Sequence, residues 1–338
     1  MIARFFAAVT IVAVALVLLV LAWPQLFHLE RFPGIVQIVS FRAITGIAGL
    51  GLALVLLIGA VAVRRGRRFF ASLAVVALAF SGLNAIVLAD RGFGDDTFAA
   101  AGTGDITVLS WNTLGGAPGA VTVAQLAVQQ GADVITMPET TKEFGEDVAA
   151  VMASAGVKMR VLSVHFDLIS KARSTTMLVS EKLGTYKIDA SVGNTSQLPS
   201  IVARPVDGSG PVLIAVHAVS PQPAELHKWS TDLDWFGTVC VGSNAIMAGD
   251  FNSTLDHMAH VTHDRGASVG DCIDEGAASG NGGLGTWPTR LPAALGTPID
   301  HVMATKNWAV SGMRVIRSLD DSGSDHRPIV VRLTSVTG

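Results

Sequence analysis

Eight polar side chains stand at the ends of apolar runs, and their types define a narrow range of chemistry. Asn112 follows the run Ile106-Thr107-Val108-Leu109-Ser110-Trp111. Glu139 follows Asp133-Val134-Ile135-Thr136-Met137 after a single proline, Pro138. His217 closes the apolar stretch 212–216, and Asp250 and Asn252 follow Ala245-Ile246-Met247-Ala248-Gly249. Asp300 opens a run just after Pro298, and Asp325 and His326 sit side by side ahead of Ile329-Val330-Val331. An Asp-His pair is common on surface loops; partners elsewhere in the chain give this one weight. Glu139, Asp325 and Asp250 offer hard oxygen atoms of the kind that hold magnesium, manganese or calcium. Zinc fits less well, because the cysteines lack metal-ligand spacing. Imidazoles beside carboxylates fit a general base whose tautomer an acid fixes. The amides of Asn112 and Asn252 are donors for phosphate oxygens. Together the set describes metal-assisted attack of water on phosphorus.

The elements that position these residues alternate between short strands and helices. Strands are expected over 106–111, 133–137, 176–180, 200–203, 211–217, 244–249, 299–304 and 328–333. Helices are expected over 121–130, ended by Gly131, then from a capping box at Thr140-Thr141-Lys142-Glu143 to about Ala155, over 223–236, and over 255–263. Most strands lack a full crossover helix between them. That pattern argues for an α+β or α/β sandwich with mainly antiparallel pairing, not a doubly wound sheet. Strand ends feeding loops on one edge of such a sandwich are where sites assemble.

In order and rough spacing, Trp111-Asn112, Glu139, Val216-His217, Gly249-Asp250-Phe251-Asn252, Ile299-Asp300-His301 and Ser324-Asp325-His326-Arg327-Pro328 resemble the endonuclease/exonuclease/phosphatase superfamily. That DNase I-like superfamily includes nucleases, abasic-site endonucleases, inositol-phosphate phosphatases and sphingomyelinases. The resemblance runs from about residue 106 to 333. It implies an α+β four-layer sandwich, two mainly antiparallel sheets flanked by helices. It implies Glu139 as the principal metal-binding carboxylate, with Asn112 and Asp325 nearby, and magnesium or manganese as cofactor. It implies Asp250 as the acid that positions or activates water, and Asn252 as the phosphate-orienting amide. His326, held by Asp300, would contact the scissile phosphate or act as base, with His217 a second histidine. Pro138 departs from the family's usual Gln and puts the local backbone in question. No acidic partner for His217 is evident; Glu225 is the candidate. More loosely, the architecture resembles actinobacterial membrane proteins associated with teicoplanin resistance, which points to lipid-linked pyrophosphate carriers.

Half of the 338 residues are hydrophobic, and the excess sits in the first ninety. Uncharged stretches 5–27, 43–63 and 69–89 each match the roughly 20 residues a helix needs to cross a bilayer. A cleaved signal peptide would explain the first alone; two further stretches favour three retained transmembrane helices. Arg64, Arg65, Arg67 and Arg68 crowd the loop between the second and third, which places that loop and the N-terminus in the cytoplasm. The expected organisation is therefore a membrane anchor over 1–90, a linker over 91–105 and an extracytoplasmic catalytic domain over 106–338. The only two cysteines, Cys240 and Cys272, fall in that domain and are compatible with one disulfide or with two buried thiols. From Gly92 onward, sixteen Lys or Arg face twenty-five Asp or Glu. This acidic balance disfavours a nucleic-acid partner without excluding one, since bound metal adds local positive charge.

Four weaker signals surround the set. Thr286-Trp287-Pro288 is placed either as a wall of the cleft or as a cap on the core edge. His257, His260 and His263 read as a solvated helix in preference to a metal site. Arg173 reads as a surface charge, and Arg327 as a partner for an acid. The expectation is a membrane-anchored, metal-dependent phosphoric ester hydrolase of the cell envelope, acting on a lipid-linked phosphate or pyrophosphate. The rivals are an exported DNase I-like nuclease and a catalytically silent membrane-anchored binding module.

Overall fold

Hydropathy divides the chain, and the fold follows the division. A computed structural model describes residues 1–94, 97–167, 169–263 and 268–336. The chain forms two units, residues 1–90 and 91–338. The first holds α1 (Ile2–Ala22), α2 (Ile35–Ser40) and α3 (Arg42–Ala62), with α4 (Arg67–Arg91) closing it. Three segments are long and apolar enough to cross a membrane: Ile2–Ala22, Arg42–Ala62 and Arg64–Arg91. The first ends earlier than the apolar run, because Pro24 lacks the N–H that would continue the helix. Small residues let α3 approach α4. A Cβ at Gly46 would lie 3.4 Å from the Cβ of Asn84, and one at Gly49 would press on Ser81 and Phe80. Arg42 is buried here and donates to the carbonyl of Ala22 and to Asn84 Oδ1 at 2.9 and 3.0 Å. It thus satisfies an end-of-helix acceptor in α1.

The second unit runs β1 (Ile106–Ser110), α5 (Ala120–Gln130), β2 (Val134–Pro138), α6 (Lys142–Ser154), β3 (Met159–His165), β4 (Ser174–Ser180) and β5 (Tyr186–Ile188). It continues with β6 (Ile201–Pro205), β7 (Val212–His217), α7 (Leu226–Val239), β8 (Ala245–Asp250) and β9 (Ile273–Asp274). It ends with α8 (Glu275–Ala278), β10 (Asp300–Ala304), β11 (Trp308–Val315) and β12 (Ile329–Ser335). Two six-stranded sheets result, ordered β11-β12-β1-β2-β4-β3 and β5-β6-β7-β8-β10-β9. Each sheet has one parallel pair, β1 with β2 and β7 with β8. Those are the pairs joined by a helix, α5 and α7, and a parallel pair requires such a crossover. The other pairings are antiparallel. The expected sandwich of two mainly antiparallel sheets is present, each sheet mixed through its one parallel pair.

Strand alternation sorts side chains to two faces. Ile106 and Val108 of β1 join Ile201, Leu213, Ala215, Ile246 and Ala248 in the core between the sheets. Leu109 and Trp111 turn the other way and pack with Val123, Ala127, Val148 and Met152 of α5 and α6. On the second sheet, Trp229, Leu233 and Phe236 of α7 are buried, and Phe236 meets Phe251 edge to face at 5.1 Å. The central strands are covered on both sides, so their ends open onto loops along one edge.

Local details depart from expectation. The N-cap of α6 is Thr141, whose hydroxyl accepts from Phe144 N–H, and not Thr140. Thr140 instead turns its hydroxyl to Thr113 and the carbonyl of Pro138. Residues 255–263 form turns, not a helix. His257 is buried there, its Nδ1 accepting from Thr254 N–H at 2.9 Å. Cys240 and Cys272 are joined in a disulfide. Residues proposed as a linker pack on the second unit. Gly94 N–H donates to Gly280 O at 2.8 Å, and Phe98 lies beneath the guanidinium groups of Arg314 and Arg332.

Candidate active site

All eight residues singled out from sequence lie at the ends of central strands or in the loops that adjoin them. Hydrogen bonds and polar approaches of 4.0 Å or less link them into one cluster. Asn112 follows β1 and is fully buried. Its amide donates to Glu139 Oε1 at 3.1 Å and to Asp250 Oδ2 at 3.0 Å, joining the two sheets. Its own oxygen accepts Leu114 N–H at 3.0 Å, which fixes the amide orientation. Glu139 follows β2 with φ 54°, in the left-handed region that non-glycine residues seldom occupy. Pro138 does not disturb the sheet: it pairs with Thr175, and its carbonyl accepts from Thr113 and Thr140.

Asp250 closes β8 and faces Asp300 across the antiparallel pair with β10. Asn252 has φ 45°, a second non-glycine residue in the left-handed region. Its backbone donates to Asp250 Oδ1 at 2.8 Å, and its amide donates to the carbonyl of Ala218 at 2.9 Å. Strain held in place at two such positions marks a functional site more often than a structural one. The turn is braced from behind. Trp229 Nε1 donates to the carbonyl of Asn252, and His301 Nε2 bonds the carbonyl of Ser253 at 2.9 Å. His301 Nδ1 meets Asp274 at 2.7 Å. Both its nitrogens face acceptors, so the buried ring is held as an imidazolium.

His326 Nδ1 bonds Asp300 Oδ2 at 2.9 Å. Nε2 points the other way, 3.7 Å from Asp250 Oδ2 and 3.9 Å from Asp325 Oδ1. The loop is fixed by Trp111 Nε1 on the carbonyl of His326 and by Ser324, whose hydroxyl donates to the carbonyl of Asn112. Asp325 also accepts Trp287 Nε1 at 2.8 Å, which places that tryptophan at the mouth of the cleft. Arg327 is buried, with Asp320 at 2.6 Å and the carbonyls of Gly285, Thr289 and Leu291 around it. It binds the two loops together and is sealed from substrate. Arg173 pairs with Asp167 at 3.1 Å.

His217 ends β7, fully buried, with Nε2 4.0 Å from Glu139 Oε1. Its Nδ1 has no hydrogen-bond partner among the described residues. Glu225 does not supply one, because it is engaged by Gln197 and by Lys228 at 2.9 Å.

Electrostatics separate the residues into two groups. Burial opposes charge on His326, but Asp300 and Asp250 beside it prevail and raise it to about 10, so the ring is an imidazolium at neutral pH. Burial raises Asp250 to about 7, against the opposing pull of His326. Burial, reinforced by repulsion from His326, lowers His217 to about 3 and keeps it neutral. Glu139 and Asp325 keep 21% and 46% of their side chains exposed and remain open to solvent. Asp250, Asp300 and His326 bring ligand atoms within 4.8 Å of one another and form a possible metal cluster. Two of the three are bonded to each other through Nδ1 and Oδ2, which favours a catalytic over a ligating use of that trio.

Comparison with known proteins agrees with this geometry. The family described as "Endonuclease/Exonuclease/phosphatase family" matches residues 109–326, more than half of the chain, and the protein belongs to that family. Members of this class hydrolyse phosphoester bonds. No curated protein matches the chain. A humanized Danio rerio TDP2 shares 17% identity and a TM-score of 0.53, over 68% of this chain and 99% of that one. An endonuclease/exonuclease/phosphatase protein from Beutenbergia cavernae shares 18% identity and a TM-score of 0.50, over 68% and 72%. The D. rerio TDP2 complexed with single-strand DNA product shares 16% identity and a TM-score of 0.52, over 69% and 100%. At these identities the likeness establishes the fold.

Proposed function

We propose that the protein is a membrane-anchored, metal-dependent phosphoric ester hydrolase whose site faces away from the cytoplasm. Its substrate would be a lipid-linked phosphate or pyrophosphate of the cell envelope. One observation carries the proposal: Asn112, Glu139, Asp250 and Asn252 form one hydrogen-bonded network, and the hydrogen-bonded pair Asp300–His326 brings Nε2 within 3.7 Å of it at Asp250, in a chain that also holds three membrane-length apolar helices.

The donor set fits a hard divalent cation. Four carboxylates line one cleft, Glu139 and Asp325 open to solvent and Asp250 and Asp300 buried, and Asp300 Oδ1 has no partner among the described residues. Glu139 and Asp325, the two carboxylates left open, would hold magnesium or manganese, with Asn112 orienting Glu139. When bound, such an ion neutralises charge on the phosphoryl oxygens. The remaining roles belong to side chains. Asp250, raised into the range of a neutral-pH base, takes the proton of the attacking water. The Asn252 amide orients a phosphate oxygen. His326, held by Asp300, presents Nε2–H to the oxygen on which charge develops. Neutral His217 sits beside Glu139 and donates without adding charge.

The acidic composition of the second unit favours this reading over a nuclease, which would need a basic groove. The test is an assay of full-length protein with magnesium or manganese against three substrates: a polyprenyl pyrophosphate, a sphingomyelin-type phosphodiester and plasmid DNA. Turnover of a lipid substrate supports the proposal. Turnover of plasmid alone would replace it with the nuclease, and turnover of none would replace it with the silent module.

A further inference from the structure

The rim of the cleft is apolar on one side, and the chain holds it that way at a cost. Leu114 lies two residues beyond Asn112, 45% exposed, with φ 47°. A leucine in the left-handed region is unfavourable, and this one sits two residues from a site residue. Its turn is anchored to the site: Leu114 N–H donates to Asn112, and Gly115 N–H donates to the carbonyl of Glu139 at 3.0 Å.

The loop after β3 packs against this turn, with Lys171 Nζ donating to Gly115 O at 3.0 Å. Phe166 N–H bonds Arg173 O at 2.9 Å to close the loop. Asp167 Oδ1 accepts the N–H groups of Ile169 and Ser170, and Asp167 also pairs with Arg173. The polar groups are thus spent on holding the loop together. Among its described residues it displays outward Ile169, 95% exposed, and Phe166, 36% exposed. Ile169 is the most exposed large apolar side chain among the described residues of the second unit. Single exposed apolar residues are ordinary; two tied loops that present three of them beside a site are not.

We infer that Leu114, Phe166 and Ile169 form a lip that receives the hydrocarbon chain of a membrane-lipid substrate, with Lys171 at its base meeting the headgroup phosphate. The inference rests on the proposed lipid phosphoesterase activity. Two observations select this occupant. The apolar helices end at Arg91, where the second unit begins, so a bilayer is the apolar phase in reach. A lysine set among exposed apolar side chains also matches an anionic headgroup joined to a hydrocarbon tail.

The test measures the full-length protein with magnesium in detergent micelles against a long-chain polyprenyl pyrophosphate and a water-soluble short-chain prenyl pyrophosphate. Both carry the same reacting group. Ile169→Ser is expected to lower the long-chain to short-chain ratio of kcat/KM by about tenfold, the worth of one buried apolar side chain. Ile169→Leu is expected to retain the ratio. Ile169 is exposed, so neither change removes a core contact. A ratio unmoved by Ile169→Ser, with wild type active on both substrates, overturns the lip and leaves the phosphoesterase reading standing. Inactivity of wild type on both overturns the reading and the lip with it. Self-association that Ile169→Ser abolishes, with the ratio unmoved, overturns the lip by making the patch a contact between copies.

Discussion

His326 owes its usefulness to two neighbours on opposite sides of its ring. Asp300 fixes Nδ1, and the crowd of carboxylates keeps the ring charged, so Nε2 is left as a donor aimed into the cleft. Asp300→Asn keeps an acceptor for Nδ1 and removes the charge. The expected result is a fall of at least about 100-fold in kcat with little change in KM, measured by steady-state kinetics. A fall in KM affinity alone would assign Asp300 to binding instead. The site residues were readable in sequence because each follows, opens or shortly precedes a run whose apolar character marks a strand, and the strand ends meet at one edge. The partner of His217 was not readable: Glu225 is close in sequence but is committed to Gln197 and Lys228. The braces were also silent. His301 bonding Ser253 and Trp111 bonding His326 are contacts between residues 48 and 215 positions apart, and no local pattern encodes them.

At the scale of elements, the strands carrying the site were legible because they are largely buried and mostly apolar. The edge strands were not. β3 is half-exposed, and its Arg160 and Ser163 break the apolar pattern. β11 carries a register shift between Val310 and Gly312, which destroys strict alternation. β5 and β9 are only 3 and 2 residues long. α8 adds an electrostatic feature. Glu275 is raised to about 8, by burial first and by Asp274 next to it second. Its folded value lies above its unfolded one, so its contribution to stability is complete below pH 4.5 and lost as pH rises through about 8. Glu275→Gln removes that dependence. Denaturation of wild type and variant across pH 5 to 9 should show the variant gaining relative stability with rising pH, by up to about 4 kcal/mol. Parallel curves would mean the carboxyl is ionised throughout.

At the scale of the whole molecule, the proposed function divides anchoring and chemistry between an apolar first unit and an acidic second unit. The division was legible from hydropathy alone, because membrane-length runs need no tertiary context to be recognised. The proposed orientation rests on Arg64 and Arg65 between α3 and α4 and on Arg67 and Arg68 at the start of α4. A reporter active only outside the cytoplasm, fused after Gly338, should be active. Replacing Arg64, Arg65, Arg67 and Arg68 with neutral residues should weaken that orientation. An active cytoplasmic reporter on the unaltered chain would place the site on the other side.

The central claim is that Glu139 and His326 belong to one hydrolytic site that works through a divalent cation. The most direct measurement is phosphate release from a polyprenyl pyrophosphate by full-length wild type, Glu139→Gln and His326→Ala, each with magnesium and with chelator. The account predicts turnover by wild type that chelator abolishes, and losses of at least about 100-fold in both variants. Equal turnover by wild type and both variants, or turnover indifferent to chelator, would contradict it.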